Sequence, residues 1–267
     1  MTNTVSNQSL LSNIKVFLLD MDGTLCLGDK VIDGAVDAVK ELRTRAKVCF
    51  LTNNSSKSVN EYLTKLNKMG FMAGPDEIIS SQTAATAYLN KAYPGKSLYI
   101  LGTPSLKADF EAAGFTLKDE GAEVAVLGYD TTLSYNGLTA FCHKVRSGIP
   151  YVATHPDLNC PSPDGMLPDT GSFIELIHAS TGRRPDIICG KPFKPMTDFI
   201  ISKFDFAPSA FAMVGDRMTT DIAFAQANGF VSVLVLTGET TVSGLEEGIR
   251  DGRFVMPDIV AKNIGEL

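Results

Sequence analysis

Short apolar runs alternate with amphipathic stretches nearly from one end to the other of this 267-residue chain. Lys15–Leu19 (KVFLL) and Lys47–Leu51 (KVCFL) are continuous runs of strand length. Further strands are expected at Leu98–Leu101, Val124–Leu127, Tyr151–Ala153, Asp186–Cys189, Phe211–Val214 and Val231–Leu236. Helical spacing is expected over Gln82–Tyr93, Pro104–Ala113, Tyr135–Ser147, Ser172–Thr181, Pro195–Phe204 and Thr220–Asn228. A strand that is apolar at every position needs cover on both faces, and helices returning after each strand supply it. The pattern therefore predicts an α/β chain of parallel sheet with helices on both faces. There are more strand–helix units than one small doubly wound sheet uses, which points to two. The Pro- and Gly-rich stretch from His155 to Gly171 has no period of its own and reads as a functional loop.

Composition removes several classes. With 24 Lys and Arg against 30 Asp and Glu, the formal charge of −6 disfavours a nucleic-acid partner, which needs a basic surface. No apolar run approaches the roughly 18 residues of a membrane helix, so no membrane association is expected. Met1 to Asn13 carries no Lys or Arg and lacks the basic start of a signal peptide. The 5 cysteines are scattered, odd in number and without a Cys-x-x-Cys, which predicts free thiols and a cytoplasmic setting.

The chemistry gathers where strands end. Asp20-Met21-Asp22-Gly23-Thr24 follows the first apolar run. Two acids at i and i+2, beside a glycine that permits a sharp turn, repel each other unless a cation sits between them. An EF-hand is excluded, because the twelfth position from Asp20 is Val31 rather than a bidentate Glu. Thr52-Asn53-Asn54-Ser55 follows the second run and reads as an anion site or as a helix cap. Gly190-Lys191-Pro192 places a lysine on a rigid turn, and the proline excludes a Walker A loop. Gly215-Asp216-Arg217-Met218-Thr219-Thr220-Asp221 supplies a second acid pair, or a capped helix start. Each taken singly admits a capping or solvated role. Jointly they compose a magnesium–phosphate site.

The order DMDGT, TNN, GKP and GDRMTTDI resembles the four motifs of the haloacid dehalogenase superfamily, from Lys15 onward. Residues 82–183 resemble the inserted α/β cap of its type IIA branch, the NagD-like and p-nitrophenyl phosphatase-like enzymes. The core would then comprise 1–81 and 184–267, a Rossmann-like doubly wound sheet. The resemblance implies that Asp20 is the nucleophile, that Asp22 is the general acid and base, and that Lys191 stabilises charge. It implies Mg²⁺ on Asp20, the Asp22 carbonyl and Asp216, with Asp221 orienting metal waters. Thr52, Asn53 and Asn54 would form the phosphate loop. Thr154-His155-Pro156-Asp157 resembles the cap loop of this branch, so His155 and Asp157 are expected to contact substrate, or His155 to be a solvated loop residue. His155 stands where many relatives carry Asn.

The expected activity is hydrolysis of small phosphate monoesters such as sugar phosphates or nucleoside monophosphates, by way of an aspartyl phosphate. A phosphomutase or phosphotransferase could use the same intermediate, and a phosphate-responsive binding module could retain it. By analogy with caps of this class, two copies would pair through the cap.

Overall fold

The four residues of β1 (Val16–Leu19) are all fully buried, as an apolar run at the centre of a parallel sheet requires. The computed structural model describes residues 9–162 and 164–267; residues 1–8 of the polar N-terminal stretch lie outside them. After β1 comes a short hairpin, β2 (Cys26–Leu27) with β3 (Lys30–Val31). Next are α1 (Ala35–Arg43), β4 (Lys47–Thr52), α2 (Val59–Lys68), β5 (Ile78–Ser80) and α3 (Ser81–Ala92). The chain continues through β6 (Leu98–Leu101), α4 (Pro104–Ala112), β7 (Val124–Leu127), α5 (Tyr135–Arg146) and β8 (Tyr151–Ala153). Then follow β9 (Asn159–Ser162), β10 (Gly165–Pro168), α6 (Thr170–Thr181), β11 (Ile187–Ile188) and α7 (Lys194–Phe204). Last come β12 (Phe211–Gly215), α8 (Ala223–Asn228), β13 (Val231–Val235), α9 (Val242–Arg250) and β14 (Ile259–Ala261).

Two sheets result. One has six strands in the order β14-β13-β12-β1-β4-β5, with β14 through β4 parallel throughout. The other has four parallel strands in the order β11-β8-β7-β6. Alternation of strand and helix thus yields the expected α/β fold. Helices bury one stripe each: in α1, Ala35, Val39 and Leu42 fall at i, i+4 and i+7 and are buried.

Two compact units divide the described residues: those up to Thr52, with Leu63–Ile79 and Ile200–Leu267, form the first, and Asn53–Tyr62 with Ser80–Phe199 the second. The second has its own core, in which Phe141 packs edge-on to Tyr151 with centroids 5.3 Å apart, beside Leu127, Val145 and Ile177.

The structure differs from the expectation at several elements. The stretch from His155 to Gly171 contains the antiparallel hairpin β9–β10, with Leu167 paired to Cys160. Pro161 and Pro168 break any alternating pattern there, so no strand signal survives in the sequence. The helix expected from Thr220 begins instead with a wide turn at Met218–Ile222. The strands β5 and β14, three residues each, are too short to carry a period.

Candidate active site

β1 and β12 are neighbours at the centre of the six-stranded sheet, and strand order runs outward from them in opposite directions. Loops leaving the C-terminal ends of two such strands diverge and leave a crevice, the ligand position of doubly wound sheets. Asp20 directly follows β1, and Asp216 directly follows β12. Asp221 lies in the wide turn, where the Arg217 carbonyl accepts from the N–H groups of Asp221 and Ile222, both at 3.1 Å. Such widened turns recur at functional sites. Here the turn brings Asp221 back on itself, so that its Oδ2 accepts from the Arg217 N–H at 3.1 Å.

One carboxylate oxygen from each of Asp20, Asp216 and Asp221 lies within 4.8 Å of the other two. Asp216 and Asp221 are 2% and 1% exposed. Asp216 Oδ2 accepts from the Glu239 N–H at 2.6 Å, whereas its Oδ1 is buried with no hydrogen-bond partner among the described residues. Burial, and then the charge of Asp221, push the Asp216 carboxyl up to about 7. An unpartnered buried carboxylate oxygen is costly, and a bound cation removes that cost. A donor set of hard carboxylate oxygens suits a divalent cation such as Mg²⁺ or Ca²⁺, so these residues fit the metal that the sequence implies. The backbone makes room for the cluster. Gly23, at φ +97°, and Gly238 both pass so close that a Cβ on either would fall inside the Asp216 carboxylate.

Asp22 is not among these three carboxylates. Its Oδ1 accepts from Lys65 Nζ at 3.3 Å and lies 3.7 Å from the Cys26 thiol. Burial and then the Asp22 charge push the Cys26 thiol up to about 12, so it remains a protonated donor. Thr52 closes β4 and is 3% exposed.

The second unit organises the other predicted residues around the Asn53 side chain. Asn53 Oδ1 accepts from the Lys191 N–H at 2.8 Å, and its Nδ2 donates to the Lys191 carbonyl and to Asp157 Oδ1, each at 3.0 Å. Asn53, Asp157 and Lys191 are thus brought together by the Asn53 side chain. Lys191 is 1% exposed. Asn54 Oδ1 accepts from the Ser56 N–H and hydroxyl at 2.9 and 2.7 Å, and its Nδ2 donates to Cys160 Sγ at 3.5 Å. Helix α2 is capped by neither Asn54 nor Ser55, since Ser58 and Glu61 exchange the capping hydrogen bonds.

His155 is fully buried, so the solvated-loop expectation is overturned. Its Nε2 lies 2.9 Å from Asp169 Oδ1 and its Nδ1 lies 2.9 Å from the Thr154 hydroxyl. Both ring nitrogens therefore have partners within the chain. Asp169 also caps α6 through the Thr170 N–H, so the histidine ties the end of β8 to the start of that helix.

The haloacid dehalogenase-like hydrolase family matches residues 17–116, and its HAD-hydrolase-like companion matches 188–267. The chain is similar to a 4-nitrophenylphosphatase from Thermotoga maritima, with 42% identity, a TM-score of 0.91, and coverage of 96% of this chain and 97% of that one. It is 32% identical to an acid sugar phosphatase of Staphylococcus haemolyticus (strain JCSC1435) over 93% of this chain and 95% of the relative. A glycerol phosphate phosphatase from Mycobacterium tuberculosis, solved in complex with calcium, is 28% identical with a TM-score of 0.87, covering 96% of this chain and 75% of that one.

The chain belongs to the haloacid dehalogenase-like hydrolases.

As a hydrolase of this family it is a phosphatase, and the resemblance to the NagD-like and p-nitrophenyl phosphatase branch holds over almost its whole length. Two parts of this hydrolase were not singled out in the sequence. The loop Thr237–Gly238–Glu239 after β13 supplies the N–H on Asp216, and the Thr237 hydroxyl donates to the Gly23 carbonyl at 2.6 Å. The rule that found the other four loops, polar residues just past a strand, would have found this one too. Lys65 has no such signal, because it stands in the last turn of a helix rich in polar residues, where a lysine is ordinary.

Proposed function

We propose that this phosphatase hydrolyses small phosphate monoesters, sugar phosphates among them, through a phosphoryl-Asp20 intermediate with a divalent cation, Mg²⁺, in place. The observation that carries the reading is the trio Asp20, Asp216 and Asp221, with a buried, unpartnered Asp216 oxygen, at the switch point of the sheet. The named activities of the acid sugar phosphatase, the 4-nitrophenylphosphatase and the glycerol phosphate phosphatase support the substrate class.

An Asp20 carboxylate oxygen attacks phosphorus, the ester P–O bond breaks, and the departing alkoxide takes a proton from Asp22. Asp22, now a carboxylate, takes a proton from water as that water attacks phosphorus. Inorganic phosphate leaves and the Asp20 carboxylate is restored. Asp20, Asp216 and the Asp22 carbonyl would hold the cation and Asp221 would orient its waters. When bound, it offsets repulsion between an anionic nucleophile and an anionic ester. Thr52 and the Asn53 N–H would receive phosphoryl oxygens, with Asn54 shaping their loop, and Lys191 would balance the growing charge. Asp157 would face the leaving group from the cap, 82–183, with His155 holding that loop in shape. The same reading carries a cytoplasmic setting and pairing of two copies through the cap. No helix among the described residues is long and apolar enough to cross a membrane.

The test is turnover of a phosphomonoester panel with Mg²⁺, repeated for Asp20→Asn and in chelator. Activity is expected to fall by at least about a hundredfold in both, the lower range for loss of a catalytic group. Appreciable turnover by Asp20→Asn would remove Asp20 from the nucleophile's role.

A further inference from the structure

Helix α2 sends Lys65 toward the loop after β1, and its side chain is only 13% exposed, unusual for a lysine in a polar stretch of helix. The Lys65–Asp22 pair, 3.3 Å apart, adds little to stability if it is an ordinary surface ion pair. Its geometry does something more specific. An ammonium has three donors and no acceptor, and the Cys26 thiol also points its single hydrogen at Asp22 Oδ1 or at the Met21 carbonyl. Asp22 Oδ1 therefore acts as an acceptor whether the carboxyl is charged or neutral. Asp22 Oδ2 has no hydrogen-bond partner among the described residues.

The geometry points to Lys65 as a positioning residue that fixes the Asp22 carboxyl, so that Oδ2 is the oxygen that hands the proton to the leaving group and later takes one from water. This rests on the assignment of Asp22 as acid and base. A carboxyl without the tether rotates about χ2, and its proton is spread over two oxygens, one of which is aimed at Cys26 rather than at the ester. General acid catalysis requires hydrogen-bond reach of the proton acceptor, so the loss falls only on esters whose leaving group needs a proton.

The experiment compares kcat/KM, which reports steps up to departure of the leaving group, for glycerol phosphate and for p-nitrophenyl phosphate, whose phenolate leaves unaided. Lys65→Met, Lys65→Gln, Lys65→Arg and Asp22→Asn are measured with wild type in Mg²⁺. Lys65→Met is expected to lose about tenfold more on glycerol phosphate than on p-nitrophenyl phosphate, the scale of one good polar contact in a transition state. Lys65→Gln should fall between, and Lys65→Arg should stay within about threefold of wild type on both esters, since a cationic donor is retained. Equal losses on the two esters in Lys65→Met, with unequal losses in Asp22→Asn, would reduce Lys65 to a structural role and overturn the proposal. Equal losses in Asp22→Asn would instead remove the acid–base role of Asp22, and the proposal with it. If Lys65→Met does not fold, judged by circular dichroism, the Lys65→Gln ratio decides in the same way.

Discussion

Ionising Asp216 where it stands is costly, and either a proton or a bound cation offsets that cost. Its carboxyl, raised to about 7 by burial and by Asp221, binds a proton in the folded chain over a pH range where the unfolded chain has lost it. Between about pH 4 and 7 the folded state thus carries more protons from this group, and stability falls as pH rises through that window, by at most about 1.4 kcal/mol per pH unit. Above pH 7 the slope from this group vanishes. In chelator, unfolding free energy measured by urea titration should therefore decline with pH more steeply for wild type than for Asp216→Asn. Saturating Mg²⁺ should remove the difference in slope. Parallel slopes in chelator would show that the carboxyl is not raised. The acids of this site were legible because a strand run fixed where each stood, so the loops after β1 and β12 pointed to one edge of the six-stranded sheet. Lys65 was not legible, since its partner lies 43 positions away and nothing local distinguishes a helix lysine that bends inward from one that does not.

At the scale of elements, the tie between β8 and α6 is the clearest case of a structure read more richly than its sequence. The apolar triplet Tyr151–Ala153 was legible as a strand, and α6 by its spacing, but the ten residues from the start of β9 to the end of β10 are rich in Pro and lack a period. What organises them is polar: His155 reaching Asp169 at 2.9 Å, the backbone N–H of Asp169 reaching the Leu158 carbonyl at 3.0 Å, and Ser172 Oγ reaching the same carbonyl at 2.7 Å. A network of this kind has no periodic signature. His155→Asn, whose side chain is too short to span to Asp169, leaves a buried carboxylate short of a donor. Loss of a hydrogen bond to a charged group costs about 1.5–3 kcal/mol, which lowers the melting temperature by about 3–5 °C in a chain of this size. Calorimetry of the variant with Mg²⁺ present measures it. An unchanged transition, with changed selectivity among phosphate esters, would mean that the ring reaches substrate after all.

For the whole molecule, strand–helix alternation continues through both compact units, so the two-sheet expectation followed from counting units. The points where the chain passes between them, after Thr52, Tyr62, Ile79 and Phe199, coincide with no change of composition. The division also separates the chemistry, because the trio Asp20, Asp216 and Asp221 belongs wholly to the first unit. A ligand bound only by folded protein stabilises it by RT ln(1 + [L]/Kd), about 2.7 kcal/mol at a hundred times Kd. Amides that exchange only when the first unit opens should then slow about a hundredfold in Mg²⁺, whereas amides released by opening of the second unit alone should not change. Hydrogen exchange with and without Mg²⁺, read by mass spectrometry, follows β1, β4, β12 and β13 in the first unit and β6, β7 and β8 in the second. Slowing confined to the first group is the expected result, because the three aspartates lie wholly in the first unit and the second has its own core of Phe141, Tyr151 and Ile177. Equal slowing of both groups would show that the units unfold as one. No slowing in either would take the cation away from the three aspartates.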